Sequence, residues 1–138
     1  MNVLYTATGL ATGDGRNGHV ATDDGILDFD VRVPKAMGGP GGATNPEELF
    51  AVGYAACFHS ALKFVAGPEK LDVSGTEVSA SVSIGMLPAG GFGLSVVLDI
   101  HAPNLDADAA KALAEKAHQV CPYSNATRGN IDVTLNVV

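Results

Sequence analysis

The chain has 138 residues and a mass of 14.0 kDa, room for a single domain over residues 1–138. Hydrophobic residues make up 46% against 17% charged, which is enough to bury a core and excludes a disordered tail. Eight Lys+Arg against fifteen Asp+Glu leave a net charge of −7 with no basic run, which argues against a nucleic-acid partner.

The opening Met1-Asn2-Val3-Leu4-Tyr5-Thr6 lacks the basic stretch and apolar block of an export signal. No apolar run approaches the ~18 residues of a membrane span, so a cytoplasmic protein away from the membrane is expected. The two cysteines, Cys57 and Cys121, stand 64 positions apart, which fits neither a CxxC redox pair nor half of a four-cysteine zinc site. A reducing compartment disfavours a permanent disulfide and leaves two readings open: buried inert thiols, or a working pair that opens and closes.

In chain order, Val3 to Leu10 and roughly His19 to Thr22 read as strands, the second turning at Asp23-Asp24-Gly25. Leu27, Phe29, Val31 and Val33 alternate with Asp28, Asp30 and Arg32, the period of a strand with one wet face. A glycine-rich loop around Gly38-Gly39-Pro40-Gly41-Gly42 follows. Then a helix begins. Asn45 can cap it, Pro46 suits its first position, and Glu47 and Glu48 sit where the macrodipole favours negative charge. From Leu49 to Ala66 it is apolar or small nearly all round, and the chain leaves it at Gly67-Pro68.

Two alternating strands, Val78 to Ile84 and Leu94 to Ile100, form a hairpin about Pro88-Ala89-Gly90-Gly91. A second helix spans Asp106 to Val120 and is stopped by Pro122; Leu113, Ala117 and Cys121 share one of its faces. Ile131 to Val138 alternate as a closing strand. The order βββ-α-ββ-α-β is α+β, a curved and mostly antiparallel sheet with two central helices. One subunit's sheet hardly covers so apolar a first helix, so a homodimer is the expected cover.

The thiols are the nucleophiles of note. Burial on an apolar helix raises a thiol's pKa unless a cation compensates, so Cys57 needs one nearby. His59 is two positions on and faces away, which makes it an ordinary core histidine. Arg16, between the glycines of Gly13-Asp14-Gly15-Arg16-Asn17-Gly18, and Arg128 are the cations that turns could present to a pocket. The loop before the helix lacks the Gly-Lys-Ser/Thr ending of a phosphate loop, and Glu47 and Glu48 would repel an anion there. Metal-ligand spacing is weak, limited to His118 with Cys121, and no metal is expected.

The stretches Thr44-Asn45-Pro46-Glu47-Glu48-Leu49-Phe50-Ala51-Val52-Gly53-Tyr54-Ala55-Ala56-Cys57-Phe58 and Val120-Cys121-Pro122-Tyr123-Ser124-Asn125-Ala126-Thr127-Arg128-Gly129-Asn130 closely resemble two cysteine motifs. They are those of the organic hydroperoxide resistance (Ohr) proteins, a branch of the OsmC-like family. The resemblance runs nearly end to end, through Leu4-Tyr5-Thr6-Ala7 and Gly90-Gly91-Phe92-Gly93-Leu94. It implies the OsmC-like fold, an intertwined homodimer and a thiol peroxidase that reduces alkyl and fatty-acid hydroperoxides. By motif, it implies Cys57 as the peroxidatic thiol, Cys121 as the resolving thiol, Arg16 as the thiolate-stabilising cation and Glu47 as the carboxylate that orients Arg16. Glu48 remains a capping residue. The resemblance also implies no bound cofactor and an external dithiol donor, dihydrolipoamide or a lipoylated protein.

Glu47 and Cys57 are ten residues apart, roughly 15 Å of rise along one helix. Either the helix breaks at Gly53, or the Arg16/Glu47 pair approaches Cys57 from a partner subunit. Phe50, Tyr54, Phe58 and Phe92 are candidate pocket walls, which would favour apolar hydroperoxides over hydrogen peroxide by about 0.8 kcal/mol per buried CH₂. The alternatives are a broader OsmC-type peroxidase and a non-catalytic carrier of lipids or hydroperoxides on the same fold.

Overall fold

The computed structural model describes residues 1–138. The chain gathers into two units, Met1–Leu49 and Phe50–Val138. The first is an antiparallel meander of β1 (Gly9–Thr12), β2 (His19–Thr22) and β3 (Asp28–Asp30), in that spatial order. Its register sets Ala11 opposite Val20 and Val20 opposite Phe29. The expected strand from Val3 is shorter, because β2 ends at Thr22, where the chain turns, and leaves no strand to pair with residues before Gly9. Val3, Leu4 and Tyr5 are exposed. The third strand is likewise trimmed, and Val31 instead bridges in parallel to Thr44, with Arg32 N–H donating to the Thr44 carbonyl at 2.9 Å.

The helix α1 (Pro46–Glu69) starts where the cap predicts. Asn45 Oδ1 accepts the Glu48 N–H at 2.9 Å, and the Thr44 hydroxyl donates to Glu48 at 2.7 Å, which fixes Glu48 as part of the cap. The helix runs past the expected exit at Gly67-Pro68, since a proline in the last turn forfeits a single backbone bond; Lys70, at φ 54°, ends it. By length and mean hydropathy α1 is apolar enough to cross a membrane, although His59, Ser60 and Lys63 interrupt it. Its alanines and glycine keep the average apolar without an unbroken large-residue run. Tyr54, Phe58, Leu62 and Ala66, four apart, are buried in the core of the second unit.

That core lies against a three-stranded sheet of β4 (Glu77–Met86), β5 (Phe92–His101) and β6 (Asp132–Val137), with β5 in the middle. Strands β4 and β5 form the expected hairpin, while β6 joins β5 in parallel. Val96, Leu98 and Ile100, alternate residues of β5, meet the α1 stripe together with Leu113, Ala114 and Ala117 of α2 (Ala107–Val120). Asp106 caps α2 by accepting the Ala109 N–H at 2.8 Å. Pro122 does not merely stop α2. It opens a further short helix, α3 (Pro122–Thr127), for which proline's fixed φ is suited at the first position. The fold is α+β, in two three-stranded sheets and with three helices where one sheet and two helices were expected.

Candidate active site

Cys57 lies mid-way along α1, half-buried, and Cys121 lies at the junction of α2 and α3, fully buried. The Cys121 thiol donates toward Cys57 Sγ at 3.8 Å, and both cysteines are free. The convergence has a local cause. Leu113, Ala117 and Cys121 form one face of α2, so burying the first two carries the sulfur inward. Burial pushes the Cys57 thiol above its ordinary pKa; a backbone hydrogen bond from Tyr123 opposes this, and Cys121 adds to the rise.

A polar cluster that sequence reasoning missed begins one turn before Cys57 and three residues after Cys121. The Tyr54 hydroxyl is 2.9 Å from Ser124 Oγ and 3.2 Å from Thr127 Oγ1. His118 Nδ1 is 2.8 Å from the same Ser124 oxygen. Tyr54, Ser124 and Thr127 are all buried, and burial, then the charge of Arg128, lowers the His118 pKa. The rings of Phe50, Tyr54 and Tyr123 pack with centroids 5.6–6.0 Å apart, and Gly53 makes room for Tyr123: a Cβ there would lie 3.0 Å from its hydroxyl. The only sequence signal for this cluster was Ser124 and Thr127 at helical spacing after Pro122.

Within the first unit, Arg16 occupies a 3₁₀ turn, Gly15–Asn17, closed by Gly18. A side chain at position 18 would put its Cβ 2.1 Å from the Thr12 carbonyl, so only glycine permits this turn. Arg16 grips Glu47 with both ends of its fork, NH1 to Oε2 at 2.8 Å and NH2 to Oε1 at 2.6 Å. Arg16's hydrogen bonds hold the Glu47 carboxyl below its usual range, against the opposing effect of burial, and Glu47 in turn raises Arg16. Arg16 is thus a fixed guanidinium with an oriented carboxylate behind it.

The expected pocket walls divide. Tyr54 and Phe58 are 0% exposed and packed in the core, as their spacing on the buried stripe of α1 requires. Phe50 is partly buried and Phe92 is exposed at the start of β5. His59 donates through Nε2 to Thr76 Oγ1 at 2.9 Å, since the threonine's own hydrogen goes to the Val73 carbonyl. Arg128 is spent on the His118 carbonyl and Asn125, where it ties α2 to α3. The helix does not break at Gly53, so the first of the two routes considered for bringing Glu47 to Cys57 falls.

The OsmC-like protein family model matches residues 39–136. An organic hydroperoxide resistance protein from Xanthomonas axonopodis pv. citri is 54% identical over 137 residues, covering 98% of this chain and 95% of that protein. The crystal structure of an organic hydroperoxide resistance protein from Elizabethkingia anophelis superposes with a TM-score of 0.94 at 54% identity, covering 99% of this chain and 98% of that one. That of OhrB from Bacillus subtilis does so with a TM-score of 0.90 at 45% identity, covering 99% of this chain and 100% of that one. With the motifs, the fold and these relatives in agreement, the chain belongs to the organic hydroperoxide resistance branch of the OsmC-like family.

Proposed function

We propose that this protein is a cysteine peroxidase that reduces organic hydroperoxides to alcohols and so protects against peroxide stress. The observation that carries the reading is the free Cys57–Cys121 pair, 3.8 Å apart, in a chain of this family. The Cys57 thiolate attacks an oxygen of the hydroperoxide and the O–O bond breaks. The alcohol departs with a proton, leaving Cys57 as a sulfenic acid. The Cys121 thiol attacks that sulfur; the S–S bond forms, the S–O bond breaks and water leaves. An external dithiol, dihydrolipoamide or a lipoylated protein, then reduces the disulfide by exchange and is itself oxidised to a cyclic disulfide. No bound cofactor takes part.

Within one subunit's second unit, burial holds Cys57 as a thiol, so the reaction needs a cation. The Arg16/Glu47 pair of one subunit serves Cys57 of the other in a homodimer. Support comes from unbroken α1, which separates Glu47 and Cys57 by ten residues, roughly 15 Å of rise. A bidentate Glu47 leaves the guanidinium one aimed face with which to stabilise thiolate and polarise the peroxide. Phe50 and Phe92 offer the apolar wall that selects alkyl chains. The cytoplasm, whose reducing poise keeps resting thiols free, is the compartment this cycle suits.

The test is steady-state removal of an alkyl hydroperoxide and, in parallel, hydrogen peroxide with dihydrolipoamide as donor. Turnover confined to the alkyl peroxide and abolished by Cys57→Ser is expected. Equal use of both peroxides favours a broader OsmC-type peroxidase, and no Cys57-dependent consumption leaves a carrier. Mixing Cys57→Ser with Arg16→Ala subunits restores activity if the site is shared.

A further inference from the structure

We propose that Tyr54, Ser124, Thr127 and His118 are positioning residues for the resolving sulfur: their buried hydrogen-bond cluster fixes the position of Cys121 relative to Cys57. In its peroxide arm the inference rests on the function proposed above; disulfide closure itself does not. Of the two sulfurs, only Cys121 stands where the backbone can adjust. Cys57 is held inside α1, whereas Cys121, at φ −62° and ψ 124°, is the extended residue between α2 and α3. The gap between them must shrink from 3.8 Å to a disulfide's ~2.05 Å. The setting of α3 therefore decides how far Cys121 must travel.

Two side-chain hydrogen bonds tie α3 back to α1, both through the Tyr54 hydroxyl, and Tyr54 stands three residues, about one turn, before Cys57. A third, from His118 to Ser124, ties α3 to the end of α2. Cys121 is thus held from both sides of its hinge. The hydrogens close without conflict. With His118 neutral, as its lowered pKa favours, and its hydrogen on Nδ1, His118 donates to Ser124, Ser124 donates to Tyr54, Tyr54 donates to Thr127, and Thr127 donates to the Ser124 carbonyl at 3.1 Å. No buried side-chain polar atom is left unpaired.

Such a cluster is a poor way to gain stability. Hydroxyls in an apolar core give up hydration for bonds of modest net worth, and phenylalanine and alanine would fill the same space. Directional bonds supply what apolar contacts do not, a distance and an angle held within tenths of an ångström. The cluster sits where such a setting matters, one residue on from Pro122 and Tyr123, whose backbone also touches the Cys57 sulfur.

The test uses the reduced full-length protein and the aromatic disulfide DTNB, which separates the two thiols in time. Half-buried Cys57 reacts first, displacing one thionitrobenzoate and forming a mixed disulfide; Cys121, fully buried, then attacks the Cys57 sulfur, closing the protein disulfide and releasing the second. Two thiols are oxidised and one reagent disulfide is reduced. Tyr54→Phe and Ser124→Ala each remove one oxygen and little packing. Each is expected to slow the second phase about tenfold, the size of one lost hydrogen bond, with the first phase changed less than twofold. The double variant is expected to be slower than either single one but by less than the product of the two effects, because Tyr54 and Ser124 share a bond and each makes one other. Thr127→Ser, which keeps its hydroxyl, and Ala126→Ser, on the exposed side of α3, should close at the wild-type rate.

With an alkyl hydroperoxide, the slow-closing variants should accumulate Cys57 sulfinic and sulfonic acids, read by mass spectrometry. Wild-type closure in both Tyr54→Phe and Ser124→Ala would overturn the inference. So would a first phase that slows in step with the second, because that marks a general loosening of the fold. If wild-type protein shows no peroxide-dependent oxidation while the DTNB phases split as expected, the peroxidase reading fails and the positioning role stands.

Discussion

Replacing Glu47 with glutamine keeps the shape of the side chain and removes its charge. The carboxylate accepts from both ends of the Arg16 fork, at 2.8 and 2.6 Å; an amide can accept one of these bonds and must turn its own NH₂ toward the other. A hydrogen bond to a charged group is worth about 1.5–3 kcal/mol net when well shielded. The Arg16 side chain is 39% exposed against 13% for Glu47, so solvent screens the pair. Discounted for that screening, the expected cost of Glu47→Gln at pH 7 is about 1–2 kcal/mol.

The pH dependence carries a sign. Because the folded state depresses the Glu47 pKa below 4.5, its contribution is complete above that value and is lost as pH falls through the folded pKa. Urea unfolding of wild type and Glu47→Gln at fixed protein concentration should show the full difference at pH 7 and a shrinking one as the acid range is entered. Turnover of an alkyl hydroperoxide should fall in the same variant, because Arg16 loses its orientation. A stability difference that is constant from pH 7 down to the acid transition would refute the assignment of the shift to this ion pair.

Two further substitutions test the framework. Phe58→Ala empties a fully buried position between α1 and the β5 sheet and is expected to cost about 3–5 kcal/mol, read as a drop in the urea midpoint with little change in slope. Gly18→Ala drives a Cβ into the Thr12 carbonyl, so the Arg16 turn must open; hydroperoxide turnover should fall while the Cys57–Cys121 disulfide still closes with DTNB.

Local chemistry in the sequence determined the elements and much of their ends. Alternation marked both strands of the hairpin, and Asn45, Pro46 and Asp106 marked the starts of α1 and α2, because caps and periodicity act over one or two turns. The two cysteine motifs carried the family. Where the readings went astray, a partner was missing from the local view. Residues before Gly9 alternate yet form no strand, since strand formation depends on a neighbour. Pro122 ends one helix and begins another, and nothing local distinguishes the two uses.

Distance in space was decided by tertiary structure alone. Arg16 and Glu47 are 31 positions apart and Cys57 and Cys121 are 64 apart, yet each pair is in contact. Parallel pairing of β6 with β5 and the hydroxyl cluster behind Cys121 are likewise products of packing. Tyr54 shows the difference most plainly. Its place on the apolar stripe of α1 is legible in the sequence, whereas the partner of its hydroxyl, 70 positions on, is fixed only when burial brings α3 against α1 and the oxygen must find a bond there.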